Sequence, residues 1–420
     1  MTETSATPKK FKISLTHSIL LATVLGMVTG YIVGPSIAPI KIFGDIFLRL
    51  IQMSVPLIIL GAVLEAVGQI NPKELGKLGF KMFAWFGIST VLAAVVGLGL
   101  AFAIQPGVGL PPMETANPVQ PPTQTITQVI LNFFPVNIVD SMAKGSMIQV
   151  IVFAIVLGVA VSLNVRDDGD RSLLNGLRVF NRSLLTMIKV IMRTAPLGVF
   201  SLMAWVSGSL GFDIILPLAK YLGGIALGVV LIMVVMIAVT AVYVGVNPFK
   251  LAAKLSEMTL VAATTTSSAI SLPVKMQDSE NKLGVSKKIS NLVNPLGMVL
   301  NSAGQALFLS MGSIMIAQFF HIDMPLSRAI QVVAISTLAC MGTLAVPGGA
   351  LIILASLMPT LGLPAEGIAI LASVDWFRGM ITTIPNVDCD ALIALIIAKG
   401  EGEFNRDIFD GKVDPTRTAA

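Results

Sequence analysis

Long apolar stretches alternate with short polar ones along this chain. The apolar runs lie at residues 14–34, 43–69, 80–104, 127–163, 172–210 and 213–246, and about 20 apolar residues carry a helix across a bilayer. They predict six membrane helices, and the runs longer than needed predict tilt or a break. The polar gaps follow a charge rule. With the start placed inside, Lys9, Lys10 and Lys12, then Lys73, Lys77 and Lys81, then Arg166 and Arg171, then Lys250 and Lys254 fall on one side. Residues 105–126 and 211–213, on the other side, carry no Lys or Arg. This asymmetry predicts a cytoplasmic N-terminus, an uncleaved first helix and a proline-rich outer loop at 105–126.

The pattern changes after residue 246. Segment 247–288 is basic at both ends (Lys250 and Lys254; Lys282, Lys287 and Lys288) and carries "TTTSSAISLP" at 264–273 in its middle. Both ends favour the same side, so the segment reads as a re-entrant hairpin. Its hydroxyl-rich tip is tolerated at membrane depth only when buried in protein or lining a cavity. Residues 326–361 repeat the design from the opposite side, with Gly342, Thr343, Pro347, Gly348 and Gly349 interrupting an apolar run. Each hairpin is accompanied by an interrupted helix. One, at 292–312, has Asn301, Ser302 and Gln305 at mid-depth; the other spans 364–399. Such inverted pairs are the mark of a secondary transporter, because unwound backbone offers carbonyls to cations and helix N-termini to anions.

The last segment carries the sharpest chemistry. Asp375, Gly379, Thr382, Asn386 and Asp390 are spaced 4, 3, 4 and 4 apart and share one helix face. A carboxylate there is expensive unless it meets a cation, which marks Asp390 as functional; the plainer reading is a stripe bonded to neighbouring helices. Asp388 lies off that face. Pro385 frees a carbonyl one turn earlier, for an ion or for a kink.

Composition narrows the class. The 420 residues are 55% hydrophobic and 12% charged, with mean hydropathy +0.86, which predicts an all-α integral membrane protein. The net charge of +5 is spread over loops and predicts topology rather than nucleic-acid binding. Cys340 and Cys389 make no metal or disulfide pattern, and His17 and His321 sit near span ends. With no His or Cys close in sequence to activate Ser267 or Ser268, an enzyme is not expected.

Five motifs, "APLGVF" (195–200), "TTSSAISLP" (265–273), "NPLGMVLNSAGQALF" (294–308), "MGTLAVPGG" (341–349) and "IPNVDCD" (384–390), resemble the glutamate transporter family of dicarboxylate/amino acid:cation symporters. The resemblance implies eight transmembrane helices plus two re-entrant hairpins in inverted repeats, a homotrimer in the plasma membrane, and an elevator mechanism. By it, scaffold helices occupy 1–79 and 105–211, the transport domain takes 80–104 and 212–400, with hairpins at 247–286 and 326–361, and a cytoplasmic tail follows at 401–420. Ser267, Ser268, Gln305, Val346, Ala350, Arg378, Gly379, Thr382, Thr383 and Asn386 would contact a small carboxylate substrate. Asn301, Asn386 and Asp390 would hold one Na+, Cys340, Met341 and Thr343 a second, and Ser89 and Thr90 a third.

Three departures from the family pattern matter. "NSAGQ" puts Ala303 where the family has an aspartate, so fewer coupled cations are expected. The family's arginine for an acidic side chain falls on Thr382, and its aspartate for an amino group falls on Gly379. Arg378, one turn before Thr382, either reaches the substrate or pairs with Asp375 as a structural element. The expected activity is Na+-driven uptake of a C4-dicarboxylate or an amino acid. A proton-coupled transporter of neutral or sulfur amino acids is the alternative, and a passive anion channel a weaker one.

Overall fold

The computed structural model describes the chain except residues 1–14, 54, 70–71, 110–130, 132–133, 145, 169–170, 341–348, 365 and 414–420. Among the described residues the regular structure is helical, apart from one isolated bridge between Val285 and Phe404. Five stretches there are long and apolar enough to span a membrane: Leu21–Phe47, Leu78–Ile104, Ile215–Val244, Lys287–Phe319 and Asp375–Gly400. This is a multi-pass membrane protein.

Several over-long runs are resolved by breaks. The first run is α1 (Leu15–Val33) and the second is split into α2 (Lys41–Gln52) and α3 (Val55–Gly68). The third forms α4 (Pro72–Ile104), one continuous helix. Of the run at 127–163, the described part is α5 (Ile138–Ala143), capped by the Asn137 side chain, and α6 (Met147–Asp168). The run at 172–210 is α7 (Ser172–Met192) and α8 (Ala195–Leu210), parted at Arg193 and Thr194. Its first half is not apolar all round: Arg178 and Arg182 are exposed while Leu174 and Leu184 are buried. Most of the outer loop predicted at 105–126 lies outside the described residues.

The second half forms α9 (Ile215–Val244), α10 (Pro248–Thr265), α11 (Ser268–Asn281), α12 (Lys287–Leu300), α13 (Ala303–Phe319), α14 (Leu326–Ala339), α15 (Gly349–Leu361), α16 (Gly367–Ala372), α17 (Asp375–Gly400) and α18 (Arg406–Asp410). Helices α10 and α11 pack on each other across a two-residue connection, Thr266 and Ser267. The hydroxyl-rich stretch is therefore a hairpin tip. The helix expected at 292–312 breaks at Asn301 and Ser302, as its polar residues suggested. The other break falls inside the segment 364–399 expected to be interrupted. It lies at Ser373 and Val374, between α16 and α17, while α17 runs through Pro385 without interruption. Proline removes one hydrogen bond, but its fixed φ is helical, so the helix continues past it.

Apolar side chains gather into two main cores. One joins α4 and α9 to α17, with part of α8, around α13, where every residue from Ala303 to Ala317 is buried. Helix α17 is likewise buried at every position from Val387 to Ala398. A helix apolar all round belongs at the centre of a bundle. The second core joins α2, α3, α6, α7 and α8 through residues such as Phe47, Val63, Ile151, Leu184 and Val199. Trp376 packs against this second core, so it is a packing residue at the junction of the two.

Candidate functional site

The polar stripe of α17 faces the hairpin tip and the break between α12 and α13. Its C-terminal end is Asp390, with 0% exposure. Asp390 Oδ2 accepts a hydrogen bond from Lys275 Nζ of α11 at 2.5 Å, and Asp390 Oδ1 accepts one from Asn301 Nδ2 at 2.9 Å. Lys275 is also at 0% exposure, and its ammonium donates to the Asn294 carbonyl of α12 at 3.0 Å. Gly297 lets α12 approach, since a Cβ there would lie 2.5 Å from Asp390 Cγ. A charge this deep requires a partner, and the partner is Lys275.

Asn301 extends the network to α4. Its Oδ1 lies 2.8 Å from Ser89 Oγ and 3.1 Å from Thr90 Oγ1, and both hydroxyls also lie within hydrogen-bond reach of the Phe86 carbonyl, at 2.9 and 2.8 Å. Asn386 is not part of this group: its Oδ1 accepts from Gly304 N at 2.8 Å, tying α17 to the start of α13. Thus Ser89 and Thr90, expected at a separate position, share Asn301 with Asp390, whereas Asn386, expected beside Asn301 and Asp390, bonds at the helix break instead. Of the ligands expected at the second hairpin, Met341 and Thr343, with the substrate contact Val346, lie outside the described residues. Cys340 closes α14, and Ala350 is buried in the first turn of α15.

The N-terminal end of the stripe is organised by Arg378. Its Nε and Nη2 donate to Asp375 Oδ1, Nε at 3.0 Å, and its Nη1 donates to Thr382 Oγ1 at 3.0 Å. The guanidinium carbon sits 4.4 Å from the Phe308 ring centre. Arg378 therefore pairs with Asp375, as one of its two readings had it, and also bonds Thr382. A guanidinium has five N–H donors, and these contacts engage three of them.

Around this cation the hairpin tip and the helix break close in. Thr266, a β-branched residue, takes the left-handed φ of 51°, held by its N–H bonding the Ala262 carbonyl at 3.0 Å. Ser267 caps α11, its Oγ accepting from Ile270 N, and Ser268 is buried in the first turn. The tip packs at Gly379, where an added Cβ would be 3.7 Å from Thr266 Cβ. Gly304 presses against α17 so closely that a Cβ would stand 1.9 Å from the Thr382 carbonyl oxygen. Thr383 donates to the Gly379 carbonyl at 2.7 Å. Two buried polar atoms, Thr266 Oγ1 and Gln305 Nε2, have no partner among the described residues.

Two residues were not singled out from the sequence. Lys275 had a signal: Ser271, Lys275 and Ser279 recur every four residues on one face of α11, and a lysine within a membrane hairpin is functional by default. Asp388, set aside as off the stripe, accepts from Thr259 Oγ1 of α10 at 2.6 Å and so ties α17 to the first hairpin.

Charged and amide groups held at helix breaks can bind and release ions and small anions. Such a seam, in a multi-pass helical bundle, is consistent with a membrane transporter. The chain matches the sodium:dicarboxylate symporter family over residues 15–400. It is 32% identical over 400 residues to the proton/glutamate-aspartate symporter of Bacillus subtilis (strain 168), which covers 93% of this chain and 96% of that one. It is similar to the proton/sodium-glutamate symport protein of Geobacillus stearothermophilus (32% over 411 residues, 94% and 96% covered). It also resembles the C4-dicarboxylate transport protein of Bacillus subtilis (strain 168), at 30% over 409 residues with 94% and 96% covered. The chain belongs to the sodium:dicarboxylate symporter family, whose members in this comparison are symporters and transport proteins; it is not an enzyme.

Proposed function

We propose that this protein is a secondary active symporter that uses an inward cation gradient, Na+ or H+, to accumulate a C4-dicarboxylate. The observation that carries the reading is Arg378, a buried cation with two N–H donors beyond those given to Asp375 and Thr382. A buried carboxylate needs such a partner. One substrate carboxylate would meet the Arg378 fork beside Thr382, and the other the hydroxyl and backbone donors at Ser267, Ser268 and Thr266. Gly379 offers no carboxylate to an amino group, which favours a dicarboxylate over an amino acid. The relatives include transporters named for glutamate-aspartate and for C4-dicarboxylates.

The rest of the transport cycle follows from the same reading. Apart from the part of α8 in the first core and Trp376 against the second, the two cores mostly follow a scaffold of 1–79 and 105–211 and a moving body of 80–104 and 212–400. The two hairpins would enter from opposite faces, the N-terminus would be cytoplasmic, and three copies would assemble in the plasma membrane. The oxygens of Ser89, Thr90, Asn301 and Phe86 support a cation position against α4. The tip of the second hairpin would supply another.

Uptake of labelled succinate, fumarate, aspartate, serine and cystine into proteoliposomes, with a Na+ gradient, a pH gradient or neither, tests the proposal. Succinate should accumulate only with a cation gradient. Two charge-assisted hydrogen bonds are worth about 1.5–3 kcal/mol each, so Arg378→Ala should raise the KM for succinate by roughly a hundredfold or more. Arg378→Lys keeps the charge without the fork and should recover only part of the loss. Accumulation of an amino acid indifferent to Arg378→Ala would overturn the substrate assignment, and flux without a gradient would overturn symport.

A further inference from the structure

We propose that Lys275 is a resident cation: its ammonium fills the position at Asp390 and Asn301 where a sodium ion would otherwise bind, so this position takes no ion from solution. The geometry has three parts. The ammonium lies 2.5 Å from Asp390 Oδ2 and 3.0 Å from the Asn294 carbonyl, and lysine and aspartate are both at 0% exposure. Asp390 Oδ1 is already bonded by Asn301 Nδ2 at 2.9 Å. Asn301 turns its own carbonyl oxygen away from Asp390, toward Ser89 and Thr90. A sodium ion at Asp390 would meet a donor group and an ammonium instead of a shell of oxygens.

Electrostatics points the same way. One carboxylate balances one cation, and a second cation about 4 Å from the ammonium, at an effective dielectric near 20, would bind roughly a thousandfold more weakly. Lys275 is covalently part of α11, so this charge travels with the hairpin and is released to neither side. A position that would otherwise exchange an ion on every cycle becomes a fixed part of the protein. This consequence for transport rests on the symport reading above, whereas occupancy by Lys275 does not.

Thermal unfolding of the purified protein in sodium chloride against choline chloride at equal ionic strength tests the occupancy without using transport. Ligand that binds only the folded state raises its melting temperature. Lys275→Ala should therefore be stabilised by sodium more steeply than the unchanged protein, with a half-saturating concentration at least tenfold lower. The gain should vanish in Lys275→Ala/Asp390→Asn. A Lys275→Ala protein with the unchanged protein's sodium response overturns the proposal. Should Lys275→Ala fail to fold in either salt, the neutral pair Lys275→Met/Asp390→Asn decides. Retention of the unchanged protein's sodium response, whatever its size, supports a resident lysine, and loss of that response identifies Asp390 as a sodium ligand and overturns it. Failure of succinate uptake beside these outcomes would count against the substrate assignment alone.

Discussion

Both oxygens of Asp390 are engaged, one by an ammonium and one by an amide, so little room is left beside it. Gly297→Ala would place a Cβ 2.5 Å from the Asp390 carboxyl carbon and 2.5 Å from Oδ1. Forcing even one methyl into such a contact costs about 1–3 kcal/mol, and the melting temperature should fall accordingly. A variant that melts with the unchanged protein would show that α12 and Asp390 are not in contact as described. At the other end of the stripe, Arg378 illustrates what single residues leave open. From spacing alone it had two readings, a pair with Asp375 or a reach to the substrate. The guanidinium has enough donors to do both, and only its seat over Phe308 directs them.

At the scale of elements, helix ends carry most of the local information. Pro248 at the first position of α10 and Asn247 before it are a readable start signal. The Asn247 side chain does accept from Phe249 N at 2.9 Å and Lys250 N at 3.1 Å. Asn247→Ala should therefore destabilise the start of the hairpin by about 1 kcal/mol. Faster amide exchange at Phe249 and Lys250 would show it, with Asn247→Asp close to the unchanged protein. Equal exchange in all three would remove the capping role. Breaks inside helices were legible where polar residues cluster, as at Asn301 and Ser302. The interruption of 364–399 was legible but its position at Ser373 and Val374 was not, and the helix continues through Pro385, where one N–H is missing.

At the scale of the molecule, the base of the first hairpin is clasped by the segment after α17. Ser286 N donates to the Glu403 carbonyl at 3.1 Å, Asn405 N donates to the Gly284 carbonyl at 2.8 Å, and Lys288 Nζ lies 3.3 Å from Glu403 Oε1. The Ser286 hydroxyl and then Lys288 hold the Glu403 carboxyl below its ordinary value of 4.5. A carboxylate with a lowered folded value stabilises the fold above its unfolded value and loses that contribution as pH falls through the folded one. Protection of the Ser286 and Asn405 amides, corrected for intrinsic exchange, should hold steady around neutrality and drop on acidification below about 4.5. In Glu403→Gln the acid-dependent part should disappear; an identical profile in both proteins would assign the clasp to its backbone bonds alone.

Sequence by itself determined that the chain is a membrane bundle, where several of its helices begin, that polar residues interrupt the helix at Asn301 and Ser302, and that one face of the last helix is polar. Those features are local. Hydrophobic length, capping residues and a spacing of three or four residues are set by neighbours along the chain. Only the tertiary structure decided how the buried charges are partnered. Lys275 and Asp390 stand 115 residues apart, and the periodicity of either segment alone contains no trace of the other. They meet because α11 packs against both α12 and α17, and a buried carboxylate pairs with whichever cation the fold places within reach.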